Sequence, residues 1–280
     1  NLSSQIQSAF AAISRVFEVL NEEEEVITNH PQPVHEIEGN VTFDHVYFGY
    51  NEKEIIHDLD VDIKSGQMVA VVGPTGSGKT TLISLLLRFY DVTQGGIKID
   101  GVDIRDMDRE DLRSLFGMVL QDTWLFNGTI YDNIRYGRMD ARKDEIIEAA
   151  KQANVHHFIR TQPDGYNMQI NEEGNNISQG EKQLLTIARA ILKDPQIMIL
   201  DEATSSVDTR LEKMLQEAMQ NVMKNRTSFV IAHRLSTIKS ADLILVVRDG
   251  RIVEKGTHQE LIQLNGFYEQ LYNAQFAQQE

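Results

Sequence analysis

Met68-Val69-Ala70-Val71-Val72-Gly73-Pro74-Thr75-Gly76-Ser77-Gly78-Lys79-Thr80-Thr81-Leu82 is the stretch on which the reading of this 280-residue sequence turns. Five apolar residues in a row read as a buried strand. A glycine-rich turn follows, and then Leu82, Ile83, Leu85 and Leu86 recur at helical spacing. That order is a strand, phosphate loop and helix unit. Gly73 to Thr80 satisfies G-x-x-x-x-G-K-[ST] with the strand and the helix that the motif requires on either side. The glycines let the backbone wrap closely, so that successive N–H groups and the helix N-terminus face an anion. Lys79 is then expected to reach the β and γ phosphates of a nucleotide, and the Thr80 hydroxyl to ligate magnesium. A flexible surface turn is the plainer reading of the glycines.

Further along, Ile197-Met198-Ile199-Leu200-Asp201-Glu202 is an apolar run ending in two carboxylates. Beside a phosphate loop, Asp201 is suited to the magnesium shell and Glu202 to polarising an attacking water. On its own the run could equally be a strand followed by an acidic helix start. Ser228–Ile231 and Leu243–Val247 are further apolar strands between helical stretches, as expected of parallel strands buried on both faces. Upstream, Val41–Tyr50 alternates apolar with polar residues and predicts short antiparallel strands. Asp100-Gly101 and Asp249-Gly250 each sit between β-prone runs and read as hairpin turns. Residues from about 125 to 193 carry helical signals and almost none for strands, which predicts a helical subdomain inserted into the α/β core.

Leu2, Ile6, Phe10, Ile13, Phe17 and Leu20 form one apolar stripe at helical spacing, and the acidic run Glu22–Glu25 with Pro31 and Pro33 reads as a polar connector. The expected division is a helix and linker over residues 1–26 and one domain over 37–275. Apolar content of 41% with 25% charged residues is an ordinary globular balance. The apolar runs fall short of the roughly 20 residues that span a bilayer. No basic stretch followed by an apolar core opens the sequence, so no secretory leader is expected. The absence of cysteine excludes disulfides and cysteine-ligated zinc. A net charge of −15 opposes nucleic-acid binding, which depends on clustered Lys and Arg to neutralise phosphates.

With these motifs in this order, the sequence resembles an ABC ATPase domain from about Ile37 to Tyr272. The resemblance implies a phosphate-loop NTPase, RecA-like core with an N-terminal antiparallel β-subdomain. It also implies ATP and Mg2+ as ligands. Within it, Tyr50 matches the aromatic residue that stacks on adenine. Gly73, Pro74, Thr75, Gly76, Ser77, Gly78, Lys79, Thr80 and Thr81 match the phosphate-binding segment. Gln121 matches the glutamine that touches magnesium and links to the transmembrane partner. Asp208, in Ser206-Val207-Asp208, resembles the D-loop aspartate along the dimer contact, and His233 the switch histidine on the γ-phosphate. The catalytic set so implied is Glu202, His233 and Lys79, with Thr80, Gln121 and Asp201 on the metal. Glu172 and Gly174 resemble the cross-talk segment of exporters.

Ser178-Gln179-Gly180-Glu181-Lys182-Gln183 stands where the family signature reads L-S-G-G-Q. Ser178 and Gly180 keep the key types and imply contact with a nucleotide held by a second ABC ATPase domain packed head to tail. Gln179 and Glu181 depart from the pattern. Glu181 either brings negative charge toward the partner's phosphates, weakening the opposing site and pointing to a different partner chain, or only completes a capping box with Ser178 at a helix start. The string Ala232-His233-Arg234-Leu235-Ser236-Thr237 and Gly128-Thr129-Ile130-Tyr131-Asp132-Asn133-Ile134 resemble exporters rather than importers. About a hundred residues without heptads separate the phosphate loop from the signature, unlike DNA-repair members with their coiled coils. The expectation is an exporter motor on the cytoplasmic face of a membrane. Its first helix would be the end of a transmembrane domain absent from this sequence. An importer ATPase, a DNA-acting ATPase and a non-hydrolysing binding module are the other readings.

Overall fold

The computed structural model describes residues 2–22, 25, 28, 31–33, 37–51, 53–121, 123–171, 176–201, 209–232 and 234–275. The first helix, α1 (Leu2–Leu20), displays its apolar stripe to solvent, and none of its residues is buried. Beyond it the chain is fastened to the domain at three points. Glu25 pairs with Arg109, and the Gln32 N–H donates to the Asp106 carbonyl at 2.8 Å. The Thr28 hydroxyl lies 3.1 Å from the carbonyls of Arg105 and Met107 and accepts from Arg88 Nη1 at 3.0 Å.

Two long strands, β1 (Val41–Tyr50) and β2 (Lys53–Ile63), pair antiparallel from Val41 opposite Ile63 to Tyr50 opposite Lys53. A bulge at His45, with φ 46°, resets the two-residue alternation, so that Val41 and Phe43 and then Val46 and Phe48 all enter the same core. After β3 (Met68–Val72) and α2 (Lys79–Leu86), the strands β4 (Gln94–Ile99) and β5 (Val102–Asp103) complete this sheet in the order β2-β1-β4-β5. The Asp100-Gly101 turn joins its last two strands, with Ile99 opposite Val102.

The chain then forms α3 (Arg109–Ser114), β6 (Phe116–Val119), β7 (Gly128–Thr129), α4 (Ile130–Arg135), α5 (Lys143–Gln152), α6 (His156–Thr161), β8 (Gln169–Ile170) and α7 (Gln179–Lys193). It ends with β9 (Ile197–Asp201), α8 (Thr209–Met223), β10 (Thr227–Ile231), α9 (Leu235–Ser240), β11 (Leu243–Arg248), β12 (Arg251–Gly256), α10 (His258–Gln263) and α11 (Phe267–Gln275). The central sheet has the order β12-β11-β3-β10-β9-β6, parallel throughout except for the terminal β11–β12 hairpin. Three short strands depart from expectation. β6 is four residues long with a glycine inside it, too short for a pattern, and it exists because its backbone pairs with β9. The two-residue pair β7–β8 lies within the helix-rich stretch.

Alternate residues of the central strands serve two cores. Ile197 and Ile199 of β9 pack with α2 and the antiparallel sheet, whereas Met198 and Leu200 pack with α7 and α8. Burial on both faces explains why these strands read as unbroken apolar runs. Each such side chain contributes about 1.5–3 kcal/mol when fully buried.

Candidate nucleotide site

Parallel pairing aligns the carboxyl ends of five strands on one edge of the sheet. Val71 of β3 lies opposite Ile231 of β10, which lies opposite Asp201 of β9, and Leu200 lies opposite Val119 of β6. The phosphate loop leaves β3 two residues beyond Val71. Asp201 is two strands away, about 10 Å. In open α/β sheets this carboxyl edge is where ligands bind.

The loop is held by backbone contacts. A methyl group at Gly73 would stand 2.1 Å from the Val247 carbonyl oxygen, so only glycine permits β11 to lie this close. At Gly76 the same methyl would meet nothing within 4 Å, because that part of the loop borders open space. The Lys79 ammonium donates to the carbonyls of Gly73 (2.8 Å) and Pro74 (3.0 Å), folded back over the loop. Burial lowers its pKa from the ordinary 10.5, against an opposing pull from Asp201. The Ser77 hydroxyl is buried with no hydrogen-bond partner among the described residues. Unpaired buried hydroxyls are costly, and a polyanion in the loop would supply the missing partner. Thr80 is exposed on the first turn of α2 and Thr81 is buried there, and the N–H groups of that turn have no partner inside the helix. A partly desolvated cation, an orphan hydroxyl and a free helix N-terminus together suit a nucleotide's phosphates.

Tyr50 ends β1 half-buried, its ring held edge-to-face by Phe48 (4.9 Å, 87°) and Tyr90 (5.0 Å, 82°). Tyr90, not foreseen from sequence, follows α2 and reaches Tyr50 only through the fold. Gln121 is exposed just beyond β6. Two residues later the Thr123 hydroxyl accepts from Gln179 Nε2 at 3.1 Å, and the Trp124 carbonyl from Arg189 Nη1 at 3.2 Å, so α7 holds the segment after Gln121. Ser178 is the N-cap of α7. The Glu181 carboxylate accepts from both the Ser178 N–H and hydroxyl at 2.8 Å, which closes the capping box at this helix start. Gly180 is buried in the first turn. Glu202, Asp208 and His233 lie outside the described residues, as do Glu172 and Gly174. Arg234, next to His233, pairs with Glu212 of α8 at 3.1 Å.

The sequence profile of the family described as ABC transporter matches residues 56–205, more than half of the chain. The chain belongs to the ABC transporter family. This ABC ATPase domain is 54% identical over 271 residues to a fatty acid ABC transporter ATP-binding/permease protein of Mycobacterium bovis, covering 96% of the chain and 43% of that protein. It is 47% identical over 279 residues to a putative multidrug export ATP-binding/permease protein of Bacillus subtilis, covering 98% of the chain and 48% of the relative. A solved bacterial Atm1-family ABC exporter with ATP bound superposes with a TM-score of 0.86 at 42% identity, over 97% of this chain and 48% of that one. The ABC domain described here therefore spans about half the length of its relatives or less. Among the described residues no helix is long and apolar enough to cross a membrane.

Proposed function

We propose that this chain is the ATP-hydrolysing motor of an exporter, attached to the cytoplasmic face of a membrane through a transmembrane portion that corresponds to the permease part named in its longer relatives. The observation that carries the reading is the phosphate loop with its orphan Ser77 hydroxyl and its partly desolvated Lys79 beside the carboxyl end of β9. Lys79 turns from the loop carbonyls to the β and γ phosphates. Thr80, Asp201 and Gln121 would hold Mg2+, which when bound would supply positive charge against the phosphates. Glu202 takes the proton of a water that adds to the γ-phosphorus as the bond to the β–γ bridging oxygen breaks, giving ADP and phosphate. His233 contacts the γ-phosphate, and Tyr50 stacks on adenine.

Ser178, Gly180 and Asp208 act on the nucleotide of a second ABC ATPase domain, packed head to tail. Because Glu181 is engaged with Ser178, a symmetric pair of this chain is favoured over a pair with a different chain. Leu120 and Trp124, 43% and 63% exposed on either side of Gln121, suit contact with the transmembrane portion. Export is favoured over import by the relatives named for export, and DNA work is opposed by the net charge of −15. Lys79→Ala tests the assignment by fluorescence titration with Mg-ATP. Binding should be lost, and retained affinity overturns it.

A further inference from the structure

A nucleotide that stacks on Tyr50 and seats its phosphates on residues 73–80 must fit a fixed distance between two different sheets, so some element has to hold them in register. We propose that the β11–β12 turn is that element, with Gly250 as its positioning residue. This rests on the reading of Tyr50 and the phosphate loop as the two ends of one nucleotide site.

Asp249 and Gly250 both have positive φ, 48° and 74°, in a two-residue turn between the paired residues Arg248 and Arg251. The Gly250 N–H donates to the Ser77 carbonyl inside the phosphate loop at 3.0 Å. Its own carbonyl accepts from the His57 N–H of β2 at 2.9 Å. A methyl group at Gly250 would lie 1.8 Å from the Ile55 carbonyl oxygen, a backbone atom with no side chain to yield. The same hairpin meets the other end of the loop through Val247, against Gly73. β2 passes the constraint on, because Ile56 pairs with Phe48 and Lys53 with Tyr50. Every step from Ser77 to Tyr50 is thus a backbone bond or a backbone contact. Backbone contacts yield less than side chains do, and binding groups must be held within about 0.5 Å. The turn lies outside both the phosphate motif and the strand that ends in the aromatic residue, so neither announces its role in the sequence.

The test is a double-mutant cycle on the whole chain, reading Mg-ATP affinity. Gly250→Ala displaces the turn from β2. Asp249→Val strains it at an exposed side chain and serves if Gly250→Ala does not fold. With Tyr50 present, either change should weaken ATP on the order of tenfold. In Tyr50→Ala, whose base end is already released, the further loss should be no more than about twofold. An equal loss in both backgrounds means that the turn only supports the loop, and it overturns the proposal, as does no loss with Tyr50 present. Tyr50→Ala that binds ATP as well as the original chain overturns the stacking reading and the proposal with it. That result is distinct from failure of the turn alone, in which Tyr50→Ala weakens ATP and the turn variants do not.

Discussion

At Ser77, stability and binding pull in opposite directions. Its hydroxyl is buried and has no partner among the described residues, so Ser77→Ala should stabilise the protein by about 1 kcal/mol in urea unfolding without ATP while weakening Mg-ATP. A destabilised variant with unchanged ATP affinity would remove the hydroxyl from the site. Lys79 gives a pH dependence of definite sign. Burial lowers its folded-state pKa below the ordinary 10.5, so between the two values the unfolded chain binds more protons and stability rises with pH. In Lys79→Met that rise should disappear from melting curves taken just below pH 10.5. Residues whose role is local were legible in sequence, since the spacing of Gly73, Gly78, Lys79 and Thr80 is itself the loop. Tyr90 and Gly250 were not, because each acts on a partner at least 40 positions away in the chain, Tyr50 for one and Ser77 for the other.

α7 shows how one sequence signal can serve two readings. Ser178 with Glu181 three positions later predicts a helix start, and the same residues fall in the family signature. The structure commits the carboxylate to the cap. Ser178→Ala should cost about 1 kcal/mol of stability, whereas Glu181→Gln, which can still close the box, should stay within a few tenths. Turnover in Glu181→Gln should equal that of the original chain. A several-fold gain in ATPase rate would show that the charge reaches the partner's phosphates after all. Elements with long patterns were legible: the apolar runs of β3, β9, β10 and β11 named the central sheet, and both hairpin turns were placed by their Asp-Gly pairs. β6 and the β7–β8 pair were not, because four residues and two carry no period, and their partners come from residues at least 40 positions later in the sequence.

For the whole molecule, the decisive expectation is that two domains close around ATP. Glu202→Gln should bind Mg-ATP, slow hydrolysis about a hundredfold or more, and give a dimer in light scattering. A monomer at high concentration would count against head-to-tail closure. α1 makes no buried contact, so removing residues 1–20 should leave the melting temperature within about 1 °C, and a fall of several degrees would reveal packing that the fold does not contain. The fastening of the linker has a mechanical consequence. A load arriving along α1 first meets the domain where the linker is tied down, and Thr28 hands it to the guanidinium of Arg88. Arg88 stands just past the last turn of α2, the helix whose first residue is Lys79. That helix is a rod of eight residues, about 12 Å long. Tension applied to the linker and a ligand seated in the loop would therefore act on opposite ends of one short helix.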